Sequence, residues 1–194
     1  MRLCFAFFIL LVAFTGVSAE TPAIRADGEQ VILADGPGRG IQASPAVACG
    51  KSRYLVVWRE GWHGKGGSAR IFAARISSKG DRLDREGIAL APVESGVQEY
   101  PRVAAASDMF LVVWQDAASG EYDIVSRTIT TAGALGSPTT LADWEYDQIL
   151  PAVAYSSENE SYLVVWEDHH WGFGEDWDIY GRRVSTTGAA LGDL

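Results

Sequence analysis

Tyr-Leu-Val-Val-Trp, at residues 54–58, is repeated three times in this chain of 194 residues. It returns as Phe-Leu-Val-Val-Trp at 110–114 and as Tyr-Leu-Val-Val-Trp at 162–166. The three tryptophans lie 56 and 52 residues apart, and a period of about 50 residues is typical of solenoids, propellers and arrays. The repeat therefore predicts the architecture of the protein and does not by itself identify functional residues.

Each copy predicts four short strands. The first reads Pro-x-Val-Ala, the second holds the Leu-Val-Val-Trp run, the third is an Ile-rich run, and a weaker apolar stretch forms the fourth. β-Branched and aromatic residues fill these runs, and turn-forming residues collect between them. No sustained helical periodicity follows residue 19, so we expect almost no helix. The predicted first strands start at Pro45, Pro101 and Pro151, the third strands span 71–76, 124–129 and 179–184, and the fourth strands span 87–91 and 138–142.

The second strand is apolar at four successive positions, 55–58 in the first copy, where a half-buried strand would alternate. Such a run is typical of a strand that is buried on both faces. A β-propeller blade meets this requirement because it lies between two neighbouring blades, whereas a two-sheet sandwich leaves one face of each sheet in water. The sequence therefore predicts an all-β fold built of β-propeller blades.

The repeat predicts three blades, at approximately 44–92, 100–143 and 150–194. A lone strand at 29–36 resembles the fourth strand of the first two blades, and the last blade is expected to stop after its third strand, near 189–192. Propellers formed by one chain contain about four to eight blades, so three blades predict an incomplete ring or part of a larger propeller. We expect the chain to continue in a longer protein, with two chains sharing one ring and an open arc as the alternatives.

The first 19 residues have the pattern of a signal peptide. Arg2 precedes an apolar run over 3–17, and a small-x-small step at 17–19 precedes Glu20. The run is shorter than the stretch of about 20 apolar residues that a membrane-spanning helix needs. We therefore expect cleavage after residue 19 and a mature chain that is secreted, periplasmic or on the cell surface.

The expected mature chain is acidic. Loss of Arg2 leaves 15 basic and 25 acidic residues, a net charge of −10. A surface of this sign repels nucleic acid and anionic lipid, so we expect no nucleic-acid partner and no membrane insertion of the mature chain. Cys49 is the one cysteine left, which excludes an internal disulfide, and its place after a first strand predicts a buried, inert thiol.

At these motifs, over residues 29–192, the chain resembles a family of bacterial exported repeat proteins. Blades of that family read Pro-x-Val-Ala, then (Tyr/Phe)-Leu-Val-Val-Trp-x-Asp/Glu, then Asp-Ile-Tyr-Gly-x-Arg-Val. The third copy matches best, with Trp-Glu-Asp at 166–168 and Asp-Ile-Tyr-Gly-Arg-Arg-Val at 178–184, whereas the first copy departs at Arg70, where the others have Asp. The resemblance implies β-propeller blades in a secreted or surface protein, and it implies no catalytic residue.

Residues that recur in every copy are expected to serve the blade. Two positions after each repeat tryptophan stands an acid, Glu60, Asp116 or Asp168, and we interpret these acids as acceptors for backbone N–H groups in turns. Arginines recur on the third strands, where we expect them to cover apolar surface or to pair with acids of a neighbouring blade. These arginines are Arg75, Arg127, Arg182 and Arg183.

Residues that differ between copies are candidates for function. Because strand direction alternates within a blade, the loop between the second and third strands shares a rim with the linker that enters the first strand. That rim collects aromatic and acidic residues, a combination that suits sugar rings, so we predict a binding face for a glycan or a protein partner. The alternative is that the aromatics fill gaps between loops. The candidates are Trp62, Trp144, Tyr146, Trp171 and Trp177.

Two enzymatic interpretations were weighed against binding. Asp168, His169 and His170 offer ligands for a transition metal, but adjacent residues of an extended chain point to opposite sides, so we predict no metal and no cofactor. Carboxylate pairs catalyse glycoside hydrolysis, yet no acid is marked by an apolar pocket and no nucleophile motif occurs. We expect a binding or scaffold module without catalytic residues, and a carbohydrate hydrolase is the alternative.

Overall fold

The computed structural model describes residues 41–61, 68–91, 96–169 and 176–192. The expected signal peptide at 1–19 and the expected strand at 29–36 lie outside these ranges. Within them the protein is all-β: twelve strands form three four-stranded antiparallel sheets, and no helix occurs. The described segments accordingly include no helix that could cross a membrane.

Each sheet is a meander of four consecutive strands, and we call the sheets blades 1, 2 and 3. Blade 1 consists of β1 (Gln42–Cys49), β2 (Arg53–Gly61), β3 (Ala69–Ser77) and β4 (Ile88–Ala89). Blade 2 consists of β5 (Gln98–Ala106), β6 (Met109–Asp116), β7 (Asp123–Thr130) and β8 (Thr139–Ala142). Blade 3 consists of β9 (Gln148–Ser156), β10 (Ser161–His169), β11 (Trp177–Ser185) and β12 (Ala190–Leu191). The three copies of the repeat are three propeller blades, which confirms the predicted fold class.

Neighbouring blades pack through two different faces of the sheet. In blade 1 the leucine face, which carries Leu55, Val57 and Ile71, packs on the tryptophan face of blade 2, which carries Phe110, Val112 and Trp114. The equivalent leucine face of blade 2 (Leu111, Val113 and Ile124) packs on the equivalent tryptophan face of blade 3 (Tyr162, Val164 and Trp166). The same pairing of faces is thus used twice, and each pairing forms a continuous apolar core.

The second strand is buried on both faces only in the middle blade. Seven of the eight residues of β6 are buried, whereas burial alternates along β10 and is interrupted along β2. Blade 2 has a neighbour on each side, but blades 1 and 3 each have one neighbour among the described blades. The two-sided burial that the apolar run predicts is therefore confirmed where a blade is enclosed.

Arg127 and Arg182, at equivalent positions of blades 2 and 3, are among the arginines that add hydrogen bonds across the blade interfaces. Arg127 Nη1 donates to the carbonyl oxygen of Leu90 at 2.7 Å, and Arg182 Nη1 donates to the carbonyl oxygen of Leu141 at 2.8 Å. The acceptors are backbone carbonyls near the outer strand of the preceding blade, not the acids that the sequence offered as one alternative. An outer strand leaves carbonyl oxygens without a ladder partner, which makes them suitable acceptors for a neighbouring guanidinium.

Each first strand is kinked at the residue before its proline. Ser44, Tyr100 and Leu150 have φ angles of 54°, 50° and 51°, in the left-handed region, and the ladder to the second strand slips at the same point in every blade. Pro45 and its two counterparts therefore lie inside the strands, three residues after the first residue of each. The prediction that they start the strands is wrong, because a bulge admits a residue without an N–H donor inside a strand.

Two further expectations are corrected. Cys49 is exposed, not buried, because it lies with Val47 on the tryptophan face of blade 1, which no described blade covers. The third sheet also gains a fourth strand, β12, that the sequence did not predict. Ala190 pairs with Val184 at the position that corresponds to the isolated bridge between Ile76 and Arg82 before β4 in blade 1. β12 therefore corresponds to the connection that precedes the fourth strand in blade 1, and not to β4 itself.

Candidate functional site

The loop between β6 and β7 meets the linker between β8 and β9 at one edge of blade 2. The Tyr122 N–H donates to Asp147 Oδ1 at 2.9 Å, and the Gln148 N–H donates to the carbonyl oxygen of Tyr122 at 2.7 Å. These two bonds confirm, for this blade, the prediction that loop and linker share a rim. They also fix the position of side chains that are far apart in sequence.

Loop and linker together form an open cleft with a volume of about 470 Å³. It is lined by Ser119, Glu121 and Asp123 from the loop side and by Asp143, Trp144 and Tyr146 from the linker. The wall thus combines carboxylates, a hydroxyl group and two aromatic rings. Small-molecule sites occupy about 300–1,000 Å³, so this cleft has the volume of a ligand site.

Asp116 fixes the start of the loop. Its Oδ2 accepts hydrogen bonds from Trp114 Nε1 at 3.2 Å and from Gln98 Nε2 at 3.0 Å, and its Oδ1 accepts the Ala118 N–H at 3.0 Å. The predicted acceptance of a turn N–H is confirmed for this acid. Three donors already satisfy most of the carboxylate, which makes Asp116 a structural anchor for the cleft.

The bond from the indole to the acid was missed by the sequence reasoning, and it recurs in blade 3. There Trp166 Nε1 donates to Asp168 Oδ2 at 3.1 Å. The signal that could have found it is the Trp-x-Asp spacing, because residues two apart on a strand lie on the same face. The recurrence explains why the acid follows the tryptophan at this distance in both copies.

Asp123 is the half-buried acid of the cleft. Burial raises the pKa of its carboxyl group above the ordinary value, and the charges of Asp143, Asp116 and Asp147 raise it further, whereas a hydrogen bond with Ser119 acts in the opposite direction. Asp123 therefore keeps its proton to a higher pH than an exposed aspartate does. The other acids that line the cleft, Glu121, Asp143 and Glu145, are exposed.

Tyr122 ties the loop to the first strand of the same blade. Its hydroxyl group donates to Glu99 Oε2 at 2.8 Å, and both side chains are buried. Burial, together with the hydrogen bond to the Glu99 carboxylate, raises the pKa of the Tyr122 hydroxyl above its usual value. The loop is thus held both by its backbone and by a buried side-chain bond.

The linker is held against blade 3 by aromatic contacts. Trp144 packs edge-on against Tyr180 with ring centroids 5.1 Å apart, and Tyr146 packs edge-on against His169 at 5.8 Å. His169 in turn stacks on Trp177 at 4.7 Å. Trp144 and Trp177 remain 37% and 45% exposed, so these contacts position the indoles without removing them from solvent.

The structure brings three of the five predicted binding residues into one neighbourhood. Trp144 and Tyr146 line the cleft, and Trp177 is connected to Tyr146 through His169. Trp62 and Trp171 lie outside the described residues.

The weak metal candidates are used for other contacts. Asp168 is fully buried and accepts the indole N–H of Trp166, and His169 packs between two aromatic rings. His170 lies outside the described residues. Within the ranges that the structure describes, no group of three or more His, Cys, Asp or Glu side chains is placed to hold a metal ion.

No protein-family model and no curated protein sequence matches this chain. Solved structures do match its fold. An α-L-arabinofuranosidase from Lactobacillus brevis is 12% identical with a TM-score of 0.56, over 80% of this chain and 57% of that protein. Candidate glycoside hydrolases from Bacteroides ovatus and Parabacteroides distasonis are each 13% identical with a TM-score of 0.50; the match covers 79% of this chain and 49% and 53% of those proteins.

At this level of identity the likeness shows the fold alone. It agrees with the three meander sheets packed face to face, and together they define this chain as a set of β-propeller blades. The chain spans about half the length of the solved structures that it matches.

Proposed function

We propose that this chain is a glycan-binding module of the β-propeller class, with the cleft beside Trp144 as its ligand site. The observation that carries the proposal is the partly exposed indole of Trp144 on the wall of a cleft that is otherwise lined by carboxylates and hydroxyl groups. An indole stacks on the C–H face of a sugar ring, and carboxylates such as Asp143 accept hydrogen bonds from sugar hydroxyls. The sugar-processing enzymes among the solved structures of similar fold support carbohydrate as the ligand class.

The proposed site continues from the cleft along the aromatic contacts to Trp177. This indole is the more exposed of the two, and it lies on β11 of blade 3. We assign Trp62 and Trp171 to the same proposed surface on the basis of the sequence. A protein ligand with exposed aromatic or basic side chains is the other occupant that such an acidic, aromatic surface would accept.

Export is part of the proposal. The pattern of residues 1–19 supports a cleaved signal peptide and therefore a secreted, periplasmic or cell-surface module. The resemblance to exported repeat proteins supports the same location. A mass measurement on the protein recovered from outside the cytoplasm tests this point, because a chain that still carries residues 1–19 contradicts it.

A glycan array followed by calorimetry tests the binding site. We expect Trp144→Ala to weaken binding by about two- to tenfold, since loss of an aromatic contact costs about 0.5–1.5 kcal/mol. Trp177→Ala compares the two ends of the proposed site, because it removes a comparably exposed indole that does not line the cleft. A smaller loss in Trp177→Ala locates the ligand mainly at the cleft, and equal binding by Trp144→Ala and the unmodified protein contradicts the proposal.

A carbohydrate hydrolase is the second candidate, and Asp123 favours it. A carboxyl group that holds its proton to higher pH is suited to donate that proton to a leaving sugar oxygen. Turnover of a panel of chromogenic glycosides tests this candidate. Activity that Asp123→Asn abolishes while glycan binding persists would establish it, and a panel without turnover leaves binding as the function.

A further inference from the structure

The two ends of the described blade set expose the same pair of faces that are buried between its blades. On the leucine face of blade 3, Leu163 is 51% exposed and Ile179 is 72% exposed. Their counterparts in blades 1 and 2 are completely buried: Leu55 and Leu111 for the first position, Ile71 and Ile124 for the second. An apolar face that is built for burial is therefore open to solvent at this end of the described residues.

The tryptophan face of blade 1 is open in part, although Trp58 on that face is buried and stacks on Phe72. Val47 is 61% exposed there, although its counterparts Val103 and Val153 are partly buried against a neighbouring blade. Val56 is half-buried, whereas its counterpart Val112 is completely buried. Among the described residues, no blade packs on the leucine face of blade 3 or on the exposed part of the tryptophan face of blade 1.

These two faces are complementary, because each described interface pairs one leucine face with one tryptophan face. We propose that two copies of this chain associate head to tail, with the leucine face of blade 3 of each copy on the tryptophan face of blade 1 of the other. The two contacts are identical, so the pair closes on itself and contains six blades. A ring of about six blades lies within the range of known propellers, and a repeated head-to-tail contact closes when its rotation completes a circle.

The occupant is a second copy because the contact continues an interface that the chain already uses twice. The exposed residues Leu163, Ile179 and Val47 each have counterparts that pack in the interfaces inside the chain. This inference is independent of the proposed glycan site, which lies at the edge of blade 2.

The mass of the full chain in solution tests the proposal. Sedimentation equilibrium or light scattering is expected to give twice the mass of one chain, and a single-chain mass at every attainable concentration overturns the proposal. A ladder of larger species overturns it too, because an open polymer does not close. If the chain no longer associates when it is expressed with further repeats, those repeats occupy the open faces. That result also overturns the proposal that a second copy occupies them.

Variants with one charged face locate the contact. Leu163→Asp damages only the leucine face and Val47→Asp damages only the tryptophan face, and each is expected to weaken association by about a hundredfold or more because an unpaired charge is buried. Both positions are exposed in one chain, so thermal unfolding is expected to show that each variant folds. Trp144→Ala is the control, since it alters the cleft and is expected to leave the mass unchanged.

Mixing the two variants is the decisive step. Each variant keeps one unaltered face, and each alone is expected to remain monomeric. An equimolar mixture is expected to form a dimer through one intact contact. A head-to-head contact between two leucine faces predicts the opposite: Val47→Asp alone still pairs and the mixture gains nothing. That result, or a mixture that remains single, overturns the head-to-tail assignment.

Discussion

Gln98 Oε1 accepts a hydrogen bond at 3.0 Å from the backbone N–H of Ile71, and the two residues belong to different blades. Gln98 and Ile71 are completely buried. The same amide group donates through Nε2 to Asp116, the acid that anchors the cleft loop. One side chain therefore couples the packing of blades 1 and 2 to the geometry of the candidate site.

Replacing this amide is expected to cost more than its volume implies. Gln98→Ala leaves a buried N–H of Ile71 without its acceptor and removes one of the donors to Asp116, so we expect a loss of about 2–4 kcal/mol in the free energy of unfolding. Urea denaturation measures it. Gln42→Ala, at the equivalent but exposed position of blade 1, is expected to change stability by less than about 0.5 kcal/mol. A similar cost at both positions would show that the bond to Ile71 contributes nothing.

Tyr162 is expected to make the fold sensitive to alkali. Its hydroxyl group accepts the Ala106 N–H at 3.3 Å and donates to the carbonyl oxygen of Met109 at 3.2 Å, across the interface of blades 2 and 3. Burial raises the pKa of Tyr162 to about 12, although the bond from Ala106 lowers it. An unfolded tyrosine ionises near pH 10, so stability present below about pH 10 is lost as the pH rises through about 12.

Tyr162→Phe is expected to flatten that alkaline loss and to cost about 1–3 kcal/mol at neutral pH. Urea denaturation between neutral pH and about pH 11 measures both effects, because the alkaline loss begins above the ordinary tyrosine pKa near 10. Tyr155→Phe is the matched control, because that ring packs beside Tyr162 at 5.1 Å but is only half-buried. An unchanged alkaline slope in Tyr162→Phe would assign the pH dependence to another group.

The ion pair between Arg75 and Asp84 is expected to weaken in acid. Arg75 Nη2 lies 2.7 Å from Asp84 Oδ1, and Arg75 Nε donates to Oδ2 at 2.8 Å. Burial alone would raise the pKa of Asp84, but the hydrogen bonds and charge of Arg75 hold it below its usual value. A lowered pKa means that the stabilisation is present above about pH 4 and is lost as the pH falls through the folded-state value.

Asp84→Asn is therefore expected to cost about 1–3 kcal/mol at neutral pH and progressively less in acid. Denaturation curves at a series of pH values measure the difference. Asp81→Asn is the control, because Asp81 lies in the preceding turn, is exposed and bonds only to Ser77 in the contacts described. A cost for Asp84→Asn that does not change with pH would show that the charge is irrelevant.

Asp123→Asn is expected to stabilise the fold at neutral pH. Burial and the neighbouring acids raise the pKa of Asp123, so the folded state favours its protonated form. Stability linked to this proton is present at low pH and is lost as the pH rises through the raised pKa, and an uncharged amide avoids that loss. Thermal unfolding at neutral and mildly acidic pH measures the effect, and the gain should shrink in acid. Asp143→Asn, at an exposed acid of the same cleft, serves as the comparison.

The sequence predicts the parts of this fold that depend on pattern. The apolar Leu-Val-Val-Trp run predicts burial on both faces, and β6 is buried in this way. The equivalent run in β10 is buried on one face only. A sequence pattern cannot reveal whether a neighbouring blade is present. The prediction of a buried Cys49 is wrong for the same reason, because burial at that position requires another blade on the tryptophan face of blade 1.

Contacts between copies could not be read from any single copy. Gln98 and Gln148 occupy the same position in successive blades, yet Gln98 binds Ile71 of the preceding blade and Gln148 donates to the carbonyl oxygen of Tyr146 at 2.9 Å. In blade 3 the carbonyl oxygens of Trp144 and Tyr146 in the linker accept the amide of Gln148. Sequence spacing carries no information about these contacts or about the packing of Trp144 on Tyr180.

The left-handed residue before each proline marks an equivalent position in each blade, from which distances between blades can be measured. Ser44, Tyr100 and Leu150 differ in size and polarity but share one backbone shape, so this position requires a geometry and accepts varied side chains. Tyr100 and Leu150 are also well exposed. Spin labels attached at these equivalent positions would have the same placement in each blade. The distance between two labels would then report the angle between neighbouring blades.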